Sequence, residues 1–307
     1  MTKLTEKKKK DYLFVLAIYI LPAISFAIFW IGININSILL SFQKYNAEGQ
    51  RYFVFFQNFR EVFDDLFTDG SLIAGAIARS FINYGVGLAV FFVNLFFAFY
   101  VFKRYFGHAF IRCIAMLPQV ISNFIICLVM KKLFDEGFPQ LMGFLGKEGF
   151  PKLLTSEIYA YPTLLLYSTW MSFSGYCIIL PNSMNVIDGE IMESAQLDGV
   201  NIFQEMWKIT IPLIYPTIVT YIVTGLSGLF VNTGNLVEFY QTDAPEFTYN
   251  IGYYLFARTM NNQGVMQSRI VYPVLSAMGL ILTAITAPMV FLVKRVLDKH
   301  DYTEDKQ

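Results

Sequence analysis

Residues Glu193–Pro212 read ESAQLDGVNIFQEMWKITIP and sit against two long runs, 158–187 and 209–237, that contain no Asp, Glu, Lys or Arg. Glu193, Asp198, Glu205 and Lys208 cannot lie in hydrocarbon at tolerable cost, so the segment is expected to face water between two membrane spans. Its local chemistry describes helix, corner, helix. Asp198-Gly199 supplies a corner with positive φ, and Asn201 followed three residues later by Gln204 has the form of a capping box. Phe203, Met206 and Trp207 then fall at helical spacing and give the second helix an apolar face, which Pro212 ends. A folded, half-apolar loop has the composition of a docking surface, since a plain connector is shorter and more polar.

Composition agrees with a membrane location. Of 307 residues, 55% are hydrophobic and 15% charged, against about 25% charged in a soluble domain. The net charge of zero points to no nucleic-acid partner and no acidic substrate. Cys113, Cys127 and Cys177 lie in or beside apolar runs without C-x-x-C spacing and read as small buried hydrophobes.

Intervals free of charge occur at 12–43, 80–102, 113–130, 158–187, 209–237 and 270–293. Each accommodates one transmembrane helix of about 20 residues, giving an all-α integral membrane protein with six spans. The shortest, 113–130, gains length if Arg112, Lys131 and Lys132 snorkel. The first is expected to leave the membrane near Asn34 and Asn36, with Ser37–Asn46 interfacial. An even number of spans puts both termini on one side. That side holds Lys3, Lys7–Lys10, Lys103, Arg104, Arg112, Lys208, Lys294, Arg295, Lys299 and Lys306, which is 13 of the 23 basic residues, so the termini and the folded loop are expected to be cytoplasmic. The organisation is then a cytoplasmic segment at 1–11, a transmembrane domain at 12–293 that includes the loop 188–212, and a cytoplasmic tail at 294–307. The apolar run after Lys7–Lys10 is too long for a signal peptide and lacks a small-x-small cleavage site, so it reads as a retained span.

Within the fifth interval, Thr217, Tyr221, Thr224, Gly228, Asn232 and Asn235 recur at steps of 4, 3, 4, 4 and 3 and are expected to form one stripe of a helix. Such a stripe either bonds neighbouring helices or lines a path in which Asn232 and Asn235 bond a polar solute. In the fourth interval Trp170 and Tyr176 stand among Ser168, Ser172 and Ser174. An aromatic ring beside hydroxyls suits a sugar, and equally anchors a helix end at the interface. Asn83, Asn94, Gly85 and Gly87 in the second interval read as close helix packing. No acidic or basic residue sits inside an interval, and no nucleotide-binding, zinc-protease or serine-hydrolase motif occurs. His108 and His300 read as solvated. Nothing in the sequence supplies an energy source, a metal site or a catalytic group.

Glu193, Ala195, Gly199, Ile209 and Pro212 reproduce the spacing E-x-A-x3-G-x9-I-x-[LI]-P and resemble the EAA loop of the membrane subunits of bacterial ABC importers, with Ser194 and Ile211 departing from the commonest form. Ile38–Asn46, Asn58–Phe63, Leu117–Ser122 and Thr224–Gln241 are similar to sugar permeases of the maltose type, in the branch tied to oligosaccharides. The resemblance implies a bacterial cell-membrane permease that is not itself an enzyme and has no cofactor of its own. It would pair with a second, unlike permease subunit, with two ATP-binding subunits that hold ATP and Mg, and with an extracytoplasmic solute-binding protein. It implies that Phe203, Met206 and Trp207 sit in a cleft on the ATPase, that Gly199 permits the corner, and that Glu193 and Asp198 meet polar groups around the cleft. The same architecture could carry an amino acid or a metal. A membrane scaffold or sensor is a further alternative, against which the polar stripe argues.

Overall fold

The computed structural model describes residues 2–299; His300, Lys306 and the rest of the tail beyond 299 lie outside the described residues. The chain divides into two compact units, Met1–Asp65 with Asn262–Leu282, and Leu66–Asn261 with Thr283–Gln307.

In the first unit, helix α1 (Thr2–Ser25) passes through a π-helical segment, Phe26–Ile31, into α2 (Gly32–Ser41). Lys10–Ser41 is thereby one apolar rod of 32 residues. The helix runs on through Asn34 and Asn36 to Ser41. The Asn34 amide donates to the Trp30 carbonyl at 2.6 Å, which returns its polar group to the helix backbone, and Asn36 accepts from Arg51 at 3.2 Å. A short antiparallel hairpin, β1 (Gln43–Tyr45) and β2 (Arg51–Phe53), follows, then α3 (Gln57–Phe67). Buried Asn58 donates to the carbonyls of Ser41 (2.8 Å) and Gln43 (2.9 Å), tying the end of the rod to the hairpin. The hairpin turn needs glycine at Gly49, where φ is +81° and a Cβ would meet the Arg269 guanidinium at 2.2 Å.

The second unit contains α4 (Leu72–Phe102), α5 (His108–Val120), α6 (Asn123–Lys132), α7 (Phe138–Phe144), α8 (Ala160–Met184), α9 (Gly189–Leu197), α10 (Ile202–Glu205), α11 (Ile211–Leu213), α12 (Tyr215–Ser227), α13 (Leu236–Tyr240) and α14 (Ile251–Asn261). The last helix, α15 (Val265–Asp298), has its later part here. One core gathers Phe91, Leu95, Phe99, Leu180, Met184, Met206 and Ile218. A second gathers Ile126, Cys127, Leu164, Tyr167, Leu236, Phe239 and Tyr253. Cys127 and Cys177 are buried as expected, whereas Cys113 is exposed.

Among the described residues four helices are long and apolar enough to cross a membrane: Lys10–Ser41, Leu72–Phe102, Ala160–Met184 and Val265–Asp298. The other two charge-free intervals are not straight spans. Around 113–130, α5 and α6 meet at 96°, with Pro118 in the last turn of α5 and Ile121 extended. Helices Ile202–Leu213 and Tyr215–Ser227 meet at 67°, where Pro216 opens the second of them. Counting each bent pair as one gives six. The helix expected to continue to Val237 stops at Ser227, because Gly228 caps it and Gly234 (φ +63°) and Asn235 (φ +61°) take left-handed conformations that no α-helix contains.

Candidate functional site: an uncharged cavity and a folded loop

The second unit contains a half-open cavity of about 460 Å³. The bend after Ser227 brings Gly228, Asn232, Gly234 and Asn235 to its wall, opposite Asn83 and Tyr84 of α4 and Ser168, Ser172 and Tyr176 of α8. Non-helical backbone at membrane depth is tolerated where it lines a cavity. One end is aromatic. Tyr176 and Tyr221 meet edge to face at 5.8 Å, Phe91 lies 5.2 Å and 5.7 Å from them, and the Tyr84 hydroxyl donates to the Ile222 carbonyl at 3.3 Å.

The other end is built from amides. Asn235 donates to the Ser168 hydroxyl at 3.1 Å and accepts from Asn123 at 3.2 Å. Asn123 in turn accepts from the Tyr167 hydroxyl at 2.9 Å and donates to Glu238 at 3.3 Å. The Asn232 side-chain oxygen accepts from the Gly234 backbone amide at 2.8 Å, and a Cβ on Gly234 would stand 3.0 Å from the Asn250 side-chain amide nitrogen. Asn250 is buried, with its side-chain oxygen accepting from the Tyr253 amide at 2.9 Å. The Tyr253 hydroxyl accepts from the Ala244 amide at 3.0 Å, and burial pushes its phenol up to about 12.

Of the expected pathway residues, Tyr176, Tyr221, Gly228, Asn232 and Asn235 share this wall. They meet through a turn, not along one helical stripe, which is a correction to the helical reading. Thr217, Thr224 and Trp170 are not among the lining residues: Thr224 is exposed, and Trp170 lies edge-on to Tyr167 at 6.0 Å. Tyr84, Gln119 and Asn250 line the cavity without having been singled out, and Asn83, read as a packing residue, lines it too. Asn83 and Tyr84, side by side within a charge-free interval, were the signal available.

The loop folds as a helical elbow. Asp188 caps α9 by accepting from the Glu190 amide at 3.1 Å, and Gly199 turns the corner at φ +72°. The capping box is formed in both directions, Gln204 N to Asn201 at 2.9 Å and Asn201 N to Gln204 at 3.1 Å. A π-helical segment, Met206–Thr210, follows α10. The three apolar residues do not share one face. Phe203 and Trp207 are 72% and 56% exposed, whereas Met206 is buried in the core with Phe91 and Leu180. Neighbouring helix positions point about 100° apart, and the burial boundary passes between Met206 and Trp207. Leu197 (89% exposed) and Ile202 extend the outward apolar surface across the corner. Glu193 and Asp198 are exposed, Ala195 is buried, and Ile209 and Pro212 are half-buried. Glu205, read as a water-facing charge, is instead buried, and both its oxygens accept from Lys103 at 2.7 Å and 3.0 Å. The elbow is thus fixed to the end of α4, the helix whose earlier turns line the cavity.

No family model matches the chain. It is 24% identical over 151 residues to the galactooligosaccharides transport system permease of Bacillus subtilis, covering 48% of this chain and 34% of that protein. It is 26% identical over 201 residues to the diacetylchitobiose uptake system permease of Streptomyces coelicolor (62% and 54%), and 25% identical over 130 residues to the maltose/maltodextrin permease of Escherichia coli K12 (41% and 25%). The chain therefore spans about half or less of the length of the curated relatives it matches. In fold it is similar over 97% of its length to a chain of a bacterial ABC transporter that imports the acidic polysaccharide alginate, with TM-score 0.73 and 21% identity over 99% of that chain. It is also similar to a chain of an alginate transporter in complex with an alginate pentasaccharide-bound periplasmic protein (TM-score 0.72, 19% identity, 97% and 98% covered). In sequence the chain is thus similar to parts of carbohydrate transport permeases, and its predominantly helical fold, with four spans among the described residues or six if each bent pair counts as one, is similar to that of the alginate transporter chains.

Proposed function

We propose that the chain is a membrane permease subunit of an ATP-driven importer that carries an oligosaccharide into the cell. The observation that carries this reading is the joining, by one helix, of a sugar-sized uncharged cavity and an exposed apolar elbow: α4 presents Asn83, Tyr84 and Phe91 to the cavity and ends at Lys103, which holds Glu205 of the elbow. The bent helices count as spans three and five of six, both termini and the elbow face the cytoplasm, and residues 193–212 act as the coupling loop. Leu197, Ile202, Phe203 and Trp207 enter a cleft on an ATP-binding subunit, and Glu193 and Asp198 meet polar groups at its rim. Met206 anchors the elbow to its own bundle. A second permease subunit, a pair of ATPases and a solute-binding protein complete the machine. The proteins similar to this chain support a saccharide cargo, being named for galactooligosaccharides, diacetylchitobiose, maltodextrin and alginate.

Gly199→Asp tests the coupling. The position has φ +72° and open space around a Cβ, so the variant strains the corner without a clash and still inserts. It should abolish labelled-oligosaccharide uptake and sugar-stimulated ATP hydrolysis in the reconstituted importer. Normal uptake by that variant removes the coupling role.

A further inference from the structure

The cavity contains nothing that neutralises an anion. Five side-chain amides, Asn83, Gln119, Asn232, Asn235 and Asn250, supply its polarity together with hydroxyls, and among the described residues its lining has no Asp, Glu, Lys, Arg or His. Three charged groups outside the lining are engaged elsewhere. Arg79 precedes the first lining residue, yet its guanidinium donates to the Tyr249 carbonyl at 2.6 Å and the Glu246 carbonyl at 3.4 Å. Glu238, three residues past Asn235, accepts from Asn123. Lys131 donates to the Phe239 carbonyl at 3.0 Å and lies over the Tyr240 ring.

Amides and hydroxyls both donate and accept, which matches a sugar hydroxyl, and the rings of Tyr84, Tyr176 and Tyr221 offer apolar area to a pyranose C–H face. A carboxylate only accepts. Brought into a half-enclosed site without a cation, it loses hydration that no countercharge replaces. We propose that this cavity selects uncharged saccharide units and rejects uronate-type ones, so that cargo charge is a property by which the permease itself discriminates. The proposal rests on the oligosaccharide reading above and narrows it.

The test uses the importer assembled from this chain and its partner subunits in lipid nanodiscs without solute-binding protein, so that delivery does not impose its own selectivity. Equilibrium binding is measured for radiolabelled tetrauronates of the gluco, galacto and manno series and for the same oligosaccharides with every carboxyl reduced to a primary alcohol. The reduced member of at least one series should bind at least about tenfold more tightly than its uronate, a difference of about 1.4 kcal/mol. Ser172→Lys, which places an ammonium in the wall, should narrow that ratio about tenfold or more. If saccharide binds but no series reaches that ratio, the charge claim is overturned and the oligosaccharide reading stands. If no saccharide of either kind binds, the oligosaccharide reading fails and the charge claim falls with it.

Discussion

Removing the ammonium of Lys103 should destabilise the protein more than removing the ion pair altogether. In the folded chain Glu205 has a side chain only 4% exposed, and both of its oxygens are held by one ammonium that is itself 17% exposed. Lys103→Met leaves that carboxylate buried with no countercharge. Breaking a buried pair from one side costs about 3–5 kcal/mol, whereas exchanging both partners for apolar residues of similar volume is close to neutral. With both groups well under a third exposed, solvent screening recovers little of the loss. At about 2–4 °C per kcal/mol, the single variant should unfold about 6–20 °C lower, and Lys103→Met/Glu205→Leu should return to within about 4 °C of the parent. Buried Cys127 and Cys177 report the transition through a thiol-reactive dye once exposed Cys113 is changed to Ser. A double variant that falls by the sum of the two single shifts would refute the reasoning, because it would mean that the two groups do not interact.

Three further outcomes follow from the same geometry. Gly252→Ala sets a Cβ 2.5 Å from the Asn232 carbonyl oxygen and 2.7 Å from that of Val231, so the turn must move; the cost is about 1–3 kcal/mol, and oligosaccharide binding should weaken more than insertion, read by binding and by membrane yield. Leu197→Ser/Phe203→Ser removes two exposed side chains and should leave the unfolding midpoint within about 2 °C while reducing co-purification of the ATP-binding subunits at least about tenfold. The Tyr253 phenol has a folded pKa of about 12, above the ordinary value of about 10. Its contribution is complete below pH 10 and is lost as pH rises through 12, so Tyr253→Phe should flatten the alkaline limb of the stability profile between those values.

The parts of this architecture legible in the sequence are those fixed by local chemistry. The capping box at Asn201 and Gln204 and the corner at Gly199 require only residues within a few positions of one another. Missing charge located the apolar helices because the bilayer imposes that pattern on any span. The bends were not legible. Pro118 and Pro216 are plain to see, but a proline opens, kinks or closes a helix according to what packs around it. The steps from Thr217 to Asn235 fit a helical period by spacing alone, although Gly234-Asn235 was a local sign of left-handed backbone. The Lys103–Glu205 pair joins residues 102 apart, and no periodicity announces a contact of that separation. Met206 misled for another reason: helical spacing locates a face, and only packing decides where that face changes from core to solvent.

The turn between Gly228 and Asn235 holds its shape through glycine geometry, tight backbone turns and side-chain amides instead of a continuous helical ladder. A side chain of this segment that needs neither a left-handed backbone nor a turn hydrogen bond can therefore change without breaking the backbone ladder of a long helix, which makes the chamber's lining a separable part of the molecule.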